Sequence, residues 1–582
     1  MKTSDPFSMD ISRHIWETRY RVAGEADICA SWRRVARAVA QAEGAESDTW
    51  AGRFYNLLEN FRFLPGGRIL AGAGTGHRVT LLNCFVMGEI ADDLESIFEA
   101  LKEGALTMQQ GGGVGYDFST LRPAGTVAQA TGSIASGPVS FMQIWDAMCA
   151  TMLSTGARRG AMMATLRCDH PDIEAFVEAK RNPAVLRHFN LSVLVSDAFM
   201  AAVADDRDWT LVFQAHANEP AITRTLKARD LWQRILRAAY DTAEPGVLFV
   251  DTINRENTLG SLENLTATNP CGEIPLPPYG ACDLGSLNLA AFVVSPYAVD
   301  ARLDLDALAE SAALAVRFLD DVIDVSRYPL PAQAEQAHST RHIGLGITGL
   351  ADALVMLGLR YDSEAARTLA AAAMQTVRDA AYPASVALAQ EKGTFPALDR
   401  AAFLASGFAR RLPADIRDAI AVHGLRNSHL LAIAPAGTIS LLANNCSSGI
   451  EPVFAAEAER RVLGTDGSYR THRVVDHALH LWQQQGLAGM PPALVEAQQI
   501  DPLAHLQMQA ALQPFIDNAI SKTINVAADY PFDRFADLYR KAHALGLKGC
   551  TVFRPNPVTG AILTQPPTGN QVQCCSLERE AD

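Results

Sequence analysis

Two hydrophobic patterns alternate along the chain. Some stretches repeat apolar residues every three or four positions, as amphipathic helices do; others are short continuous apolar runs bounded by Gly, Pro or Asn, as buried strands are. Over residues 1–60, Trp16, Tyr20, Trp32, Val35, Val39 and Ala42 recur at helical spacing and predict a helical N-terminal region. LLNCFVM (81–87) then fits a buried strand with Cys84 at its middle. SIFEALKEGALTMQQ (96–110) and VSFMQIWDAMCATML (139–153) read as helices, and FNLSVLVSDAFM (189–200) as a strand running into a helix. DLDALAESAALAVRFLDDVIDVS (304–326) is amphipathic, and RHIGLGITGLADALVMLGL (341–359) continues a helix-rich pattern through residue 393. HLLAIAPAGTISLLANN (429–445) reads as strand, turn and helix.

After Arg554 the pattern lapses into a Pro-, Gly-, Gln- and Thr-rich segment with adjacent Cys574 and Cys575, which predicts a flexible tail over 555–582. Helices and short strands alternating over 61–554 predict an α/β catalytic domain, and periodicity alone leaves barrel and open sheet both open. No internal repeat is evident.

Composition narrows the function. The 582 residues carry a formal net charge of -14, which argues against general nucleic-acid affinity. The N-terminus lacks an apolar signal core, and no apolar run reaches the roughly 18 residues of a membrane span. A cytoplasmic protein with no membrane partner is expected, its ten cysteines reduced. No two CxxC motifs pair, so no metal site is expected.

The densest chemistry is Asn269-Pro270-Cys271-Gly272-Glu273: a thiol between an amide and a carboxylate, with Pro and Gly excluding helix. If the segment is extended, Asn269, Cys271 and Glu273 point to one side. A second thiol, Cys282, follows eleven positions after Cys271. Two of Cys84, Cys271 and Cys282, if adjacent, can supply two electrons as a disulfide, while the third does a separate step. Alone, each is most simply a small core residue. The turn Pro435-Ala436-Gly437-Thr438-Ile439-Ser440 aims amides and the Thr438 and Ser440 hydroxyls at one point, a candidate anion cradle. Arg158 and Arg159 sit in a Gly-rich loop and suit phosphate binding or base stacking, but taken alone fit solvated surface charge somewhat better. The run Gly111-Gly112-Gly113-Val114-Gly115 permits close backbone approach but has the wrong spacing for a dinucleotide fingerprint.

LLNCFV, QQGGGVGYDFSTLRPAG, GARRGAMMATL, HPDIEAFVEAK, NPCGEIPL with CDLGSLNL, APAGTISLL, SGIEPVF and SKTIN, in this order, resemble the adenosylcobalamin-dependent (class II) ribonucleotide reductases of dimeric type, from about residue 10 to about 555. The resemblance implies a ten-stranded α/β barrel with Cys271 on a central finger loop. It implies reduction of ribonucleoside diphosphates, with Cys271 as the thiyl radical, Glu273 as general base, Asn269 orienting the ribose and Cys84 with Cys282 as the reducing pair. Pro435 to Ser440, with Asn83, would hold the phosphates. Asp92 would bind the ribose of a dNTP or ATP specificity effector, and the loops 126–136 and 156–161, the second carrying Arg158 and Arg159, would couple it to base choice. Cys574 and Cys575 would relay electrons from thioredoxin or glutaredoxin, and the enzyme would be a homodimer.

The chain departs from the family in three places. The phosphate turn has Ala436 where Thr is usual, the tail thiols are adjacent and not CxxC, and the N-terminus has no room for an ATP-binding cone. There is no DxHxxG cobalamin signature either, so the cofactor follows from the resemblance alone. Two rivals stand beside this reading. A glycyl-radical barrel enzyme needs a C-terminal glycyl motif; the only similar run, Arg21-Val22-Ala23-Gly24, is N-terminal and followed by Glu25. An inactive nucleotide-binding relative would need none of the three thiols, Asn269 or Glu273.

Overall fold

In the computed structural model, residues 5–127, 132, 134–154, 158–182, 184–215, 220–463, 469–555 and 563–564 are described, the side chains of 153–154, 158–159, 461–463, 469–470 and 563–564 excepted. The N-terminal region is helical as expected, with helices Ile28–Val39 and Ser47–Leu58 turning Trp32, Val35, Phe54 and Leu57 onto the core.

Ten strands form one sheet. In chain order they are β1 (Phe63–Pro65), β2 (Cys84–Val86), β3 (Gly113–Asp117), β4 (Met162–Arg167), β5 (Phe189–Val195), β6 (Gly246–Phe249), β7 (Ala281–Asn288), β8 (Ile343–Thr348), β9 (Thr523–Asn525) and β10 (Gly549–Phe553). Strands β2 to β6 run parallel in sequence order. β7 with β8, and β9 with β10, are also parallel pairs. The two sets meet antiparallel at both seams, β2 on β7 and β6 on β10. The segment 429–433 closes the ring through bridges Leu345–Leu431 and Ile433–Ile520. The sheet is therefore the expected barrel. Helices such as Leu305–Val325 and Glu364–Lys392 cover its outside, so strand residues such as Val193, Val247 and Leu345 are fully buried.

Two local expectations fail. Ile343–Thr348 is a strand, not the start of a helix, and the helix begins only at Leu350. Its glycines, Gly344 and Gly346, lie where neighbouring backbone and side chains pack close, which removes the side-chain alternation that marks a strand. The apolar run 429–433 makes ladder hydrogen bonds, such as Leu345 N to the Leu430 carbonyl at 2.7 Å, but only isolated bridges. Among the described residues no helix is long and apolar enough to cross a membrane.

Candidate active site

A hairpin enters the barrel. Its two-residue strands, Ala267–Thr268 and Pro275–Leu276, pair antiparallel, and its tip carries Asn269 to Glu273. The tip is a reverse turn and not the extended segment expected from alternation. The Gly272 amide donates to the Asn269 carbonyl at 3.1 Å, with Gly272 at φ 86. The Asn269 side chain sets this shape, its Oδ1 accepting from the amides of Gly272 (3.1 Å) and Ile274 (3.0 Å). Its Nδ2 is thereby turned inward, donating to Glu273 Oε1 at 2.8 Å and to Cys84 Sγ at 3.1 Å. One amide thus builds the turn and joins the carboxylate to a thiol from β2.

The barrel wall leaves room for the hairpin because of the glycine run. A Cβ on Gly115 would stand 1.9 Å from the Thr268 carbonyl oxygen. At Gly115 the close approach expected of the glycine run is therefore made to the protein's own hairpin, while Gly111 and Gly112 face Arg68 and Phe85.

Cys84 and Cys282 lie directly opposite each other on β2 and β7, both fully buried. Burial pushes both thiols well above their usual range. The Glu273 carboxylate adds to this for Cys84, and Asp283 and Glu273 add to it for Cys282. Both are held as neutral S–H groups. Cys271 is half-buried at the tip.

Cys271 borders two cavities. The smaller, about 340 Å³ including its mouth, is lined by Gly66, Asn83, Cys271, Glu273, Ser286 and Pro435, among others. The larger, about 990 Å³ including its mouth, lies on the Pro270–Gly272 side and is walled by β5, β6, β10 and residues 520–523. Part of its wall is small and hydroxyl-bearing, with Ser192, Ala243, Gly246, Ser521, Thr523, Gly549 and Thr551, beside larger residues such as Met163, Glu244 and Lys522. A Cβ on Gly246 would sit 3.2 Å from Thr551 Oγ1 and 3.3 Å from Ser192 Oγ. A cradle of this size, with hydroxyls around it and a thiol at its edge, fits the nucleoside portion of a cofactor such as adenosylcobalamin.

The helix Gly437–Leu442 starts beside the smaller cavity, where Pro435 and Ile439 reach the wall. Ser440 does not aim its hydroxyl outward as expected; Oγ donates back to the Gly437 carbonyl at 2.9 Å. The Ala436 amide donates to Ser448 Oγ at 2.7 Å. Asp92 lies away from the hairpin, ahead of the helix Leu94–Gln109, where Arg122 donates to its Oδ2 through Nε at 2.6 Å and to Oδ1 through its amide at 3.0 Å. Arg122 was not singled out in the sequence, although it lies in the STLRPAG run. Arg158 and Arg159 form a two-residue strand with Leu153–Ser154; their side chains, and Cys574 and Cys575, lie outside the described residues. Asp320, Asp321 and Asp324 cluster as metal ligands would. Arg341, Arg426 and Lys392 already pair with them.

Comparison with known proteins agrees with this geometry. The family model "Ribonucleotide reductase, barrel domain" matches residues 82–553, and "Ribonucleotide reductase, all-alpha domain" matches 7–78. A vitamin B12-dependent ribonucleoside-diphosphate reductase of Mycobacterium tuberculosis is 42% identical over 557 residues, covering 92% of this chain and 76% of that protein. A protein of the same description from Thermoplasma acidophilum is 37% identical, covering 90% and 67%. The ribonucleoside-diphosphate reductase large subunit of vaccinia virus is 27% identical, covering 87% and 72%.

Proposed function

The chain belongs to the ribonucleotide reductase family, and on that premise we propose that it is an adenosylcobalamin-dependent enzyme reducing ribonucleoside diphosphates to 2′-deoxyribonucleoside diphosphates for DNA synthesis. The observation that carries the reading is the position of Cys271 between two cavities, with Glu273 lining the smaller one and Asn269 joining that carboxylate to Cys84, which faces Cys282.

The substrate ribose occupies the smaller cavity. Its phosphates lie toward the first turn of Gly437–Leu442, held by amides of Gly437, Thr438 and Ile439, with Asn83 alongside. Cobalamin, when bound, supplies the radical through its carbon–cobalt bond. Ser192, Thr523 and Thr551 would hold its nucleoside portion. As a thiyl radical, Cys271 takes the 3′ hydrogen, and Glu273 takes the 3′-hydroxyl proton. Asn269 holds Glu273 in place for this. The 2′ hydroxyl leaves as water, one thiol of the Cys84–Cys282 pair supplying its proton. The pair contributes two hydrogens and two electrons in all, one hydrogen ending in water and one on the 2′ carbon, and closes to a disulfide. Glu273 returns the proton to the 3′ oxygen, and Cys271 returns the 3′ hydrogen.

We further propose that Asp92, backed by Arg122, receives the ribose hydroxyl of a dNTP or ATP specificity effector, with Arg158 and Arg159 on the coupling loop. The outward apolar residues Leu94, Phe98 and Leu106 on one helix and Ile144 on the next support a homodimer through these helices. Cys574 and Cys575 would pass electrons from thioredoxin or glutaredoxin in the cytoplasm.

The test is CDP reduction with adenosylcobalamin and dithiothreitol, with and without dATP or dTTP. Deoxycytidine diphosphate dependent on the cofactor is expected; no deoxynucleotide under any effector overturns the reading.

A further inference from the structure

The finger hairpin needs a fixed apex. Cys271 must face one cavity when it loses a hydrogen atom and the other when it takes one, and reacting atoms misplaced by about 1 Å cost on the order of a hundredfold in rate. Nothing packs within 4 Å of a Cβ built on Gly272, so the apex is open on that side. Inside the hairpin, Asn269 orders the turn. At its far end the Ala519 amide holds the Glu273 carbonyl at 2.9 Å. The peptide that joins Pro270 to Cys271 has a support of its own.

It is fixed from β5. On that strand Phe189, Leu191, Val193 and Val195 join the outer core. By strand alternation Asn190 and Ser192 face inward, and both line the larger cavity. Asn190 Nδ2 donates to the Pro270 carbonyl at 2.8 Å, across 80 positions of sequence. That carbonyl belongs to the peptide immediately before Cys271, so the bond sets the plane from which the thiol projects.

The Asn190 backbone is clamped in turn. Lys180 Nζ donates to the Phe189 carbonyl. Glu244 Oε2 accepts from the Leu191 amide at 3.0 Å. Lys180 and Glu244 pair with each other at 2.8 Å, both largely shielded from solvent. One ion pair therefore grips the peptide groups on both sides of Asn190. A group whose support is held this way transmits a fixed position to what it touches.

We propose that Asn190, held by the Lys180–Glu244 pair, is a positioning residue for the reaction, aligning the Cys271 thiol between the two cavities. The proposal rests on Cys271 being the radical carrier. The contact of Asn190 with the hairpin is to the Pro270 carbonyl and not to the Cys271 thiol, and it acts through the Pro270–Cys271 peptide.

The test uses the full-length chain with two variants. Asn190→Ala removes the donor, and Asn190→Asp keeps the shape while replacing the donor with an acceptor, which guards against a loss caused by folding alone. Three quantities are read: kcat and KM for CDP with saturating adenosylcobalamin, effector affinity for dTTP, and the alkylation rate of Cys271 by iodoacetamide in cofactor-free protein. In both variants kcat should fall about 10- to 100-fold, with the KM for CDP and the dTTP affinity within about twofold of wild type and Cys271 alkylation several-fold faster. A kcat within about twofold of wild type in either variant overturns the proposal. So does parallel loss of kcat, KM and effector affinity in both, which marks general loosening. Wild-type protein that makes no deoxynucleotide sinks the proposed function instead, and the alkylation rates still decide whether Asn190 holds the apex.

Discussion

Cys84 and Cys282 stand opposite each other in register on antiparallel β2 and β7, and the Asn269 amide that grips Glu273 also donates to Cys84 Sγ at 3.1 Å. The carboxylate proposed as general base and a thiol proposed as reductant are thus joined through one side chain. Both thiols are buried and held protonated, so in the reduced protein near pH 8 neither should react readily, because the thiolate is the nucleophile. Cys271, half-exposed, should be alkylated first of the three. Peptide mass spectrometry after a short iodoacetamide pulse checks this; Cys84 or Cys282 reacting as fast as Cys271 contradicts the burial argument.

Cys271→Ser retains the shape of the turn but has no S–H to lose. Turnover should fall on the order of a thousandfold or more, while CDP and dTTP binding stay within about twofold. Equilibrium binding beside a single-turnover assay separates the two. Retained turnover would remove Cys271 from the radical role.

Gly115→Ala should damage the site without touching it. The added Cβ would overlap the Thr268 carbonyl at 1.9 Å, so the hairpin must move. Overpacking of this kind costs roughly 1–3 kcal/mol, and displacement of Cys271 should lower kcat by about a hundredfold. Denaturant melts and steady-state kinetics measure the two losses. Full activity would mean that the hairpin is not held by this approach.

How much of this was legible beforehand depended on the kind of contact. LLNCFVM revealed β2 and Cys84 because strands covered on both faces are continuous apolar runs. Ile343–Thr348 hid as helix because Gly344 and Gly346 replace the side chains that would have shown alternation. At NPCGE the Pro and Gly excluded a helix, but the turn depends on where Asn269 Oδ1 points, which spacing does not encode. The role of Glu273 and Cys84 around Asn269 came from the family resemblance, and the geometry gave it a physical form. Asn190 was invisible, since its partner is 80 positions away and its strand reads as ordinary.

Glu263 offers a pH test. Burial pushes its carboxyl from 4.5 up to about 7, opposed by the Asn257 amide at 3.2 Å. A carboxyl with a raised folded pKa binds more protons folded than unfolded between those values, so it lowers stability as pH rises from about 4.5 to 7. Above that range the full penalty of the buried charge remains. Glu263→Gln keeps an acceptor for Asn257 and cannot ionise. The variant should therefore gain stability relative to wild type as pH rises through this window, and hold the gain above pH 7. Thermal melts at pH 5 and pH 8 test the sign. An equal difference at both pH values would show that Glu263 does not titrate there.

Cys84 and Cys282 are each fully buried, so once they form a disulfide a protein reductant the size of thioredoxin cannot reach them directly. In the proposed reaction a small dithiol reaches the pair by the route that admits substrate. On the proposed function a segment of the chain would carry electrons inward for thioredoxin, and Cys574 and Cys575 are the thiols of the C-terminal segment. Adjacent cysteines bridge only with strain, which makes their disulfide easy to reduce and suits a relay. Replacing both with Ser should abolish turnover driven by thioredoxin, thioredoxin reductase and NADPH and leave the dithiothreitol-driven rate within about twofold. Single replacements should also stop the thioredoxin-driven reaction, because a relay disulfide needs both sulfurs. Equal loss with the two reductants would place these cysteines in folding or catalysis and not in electron delivery.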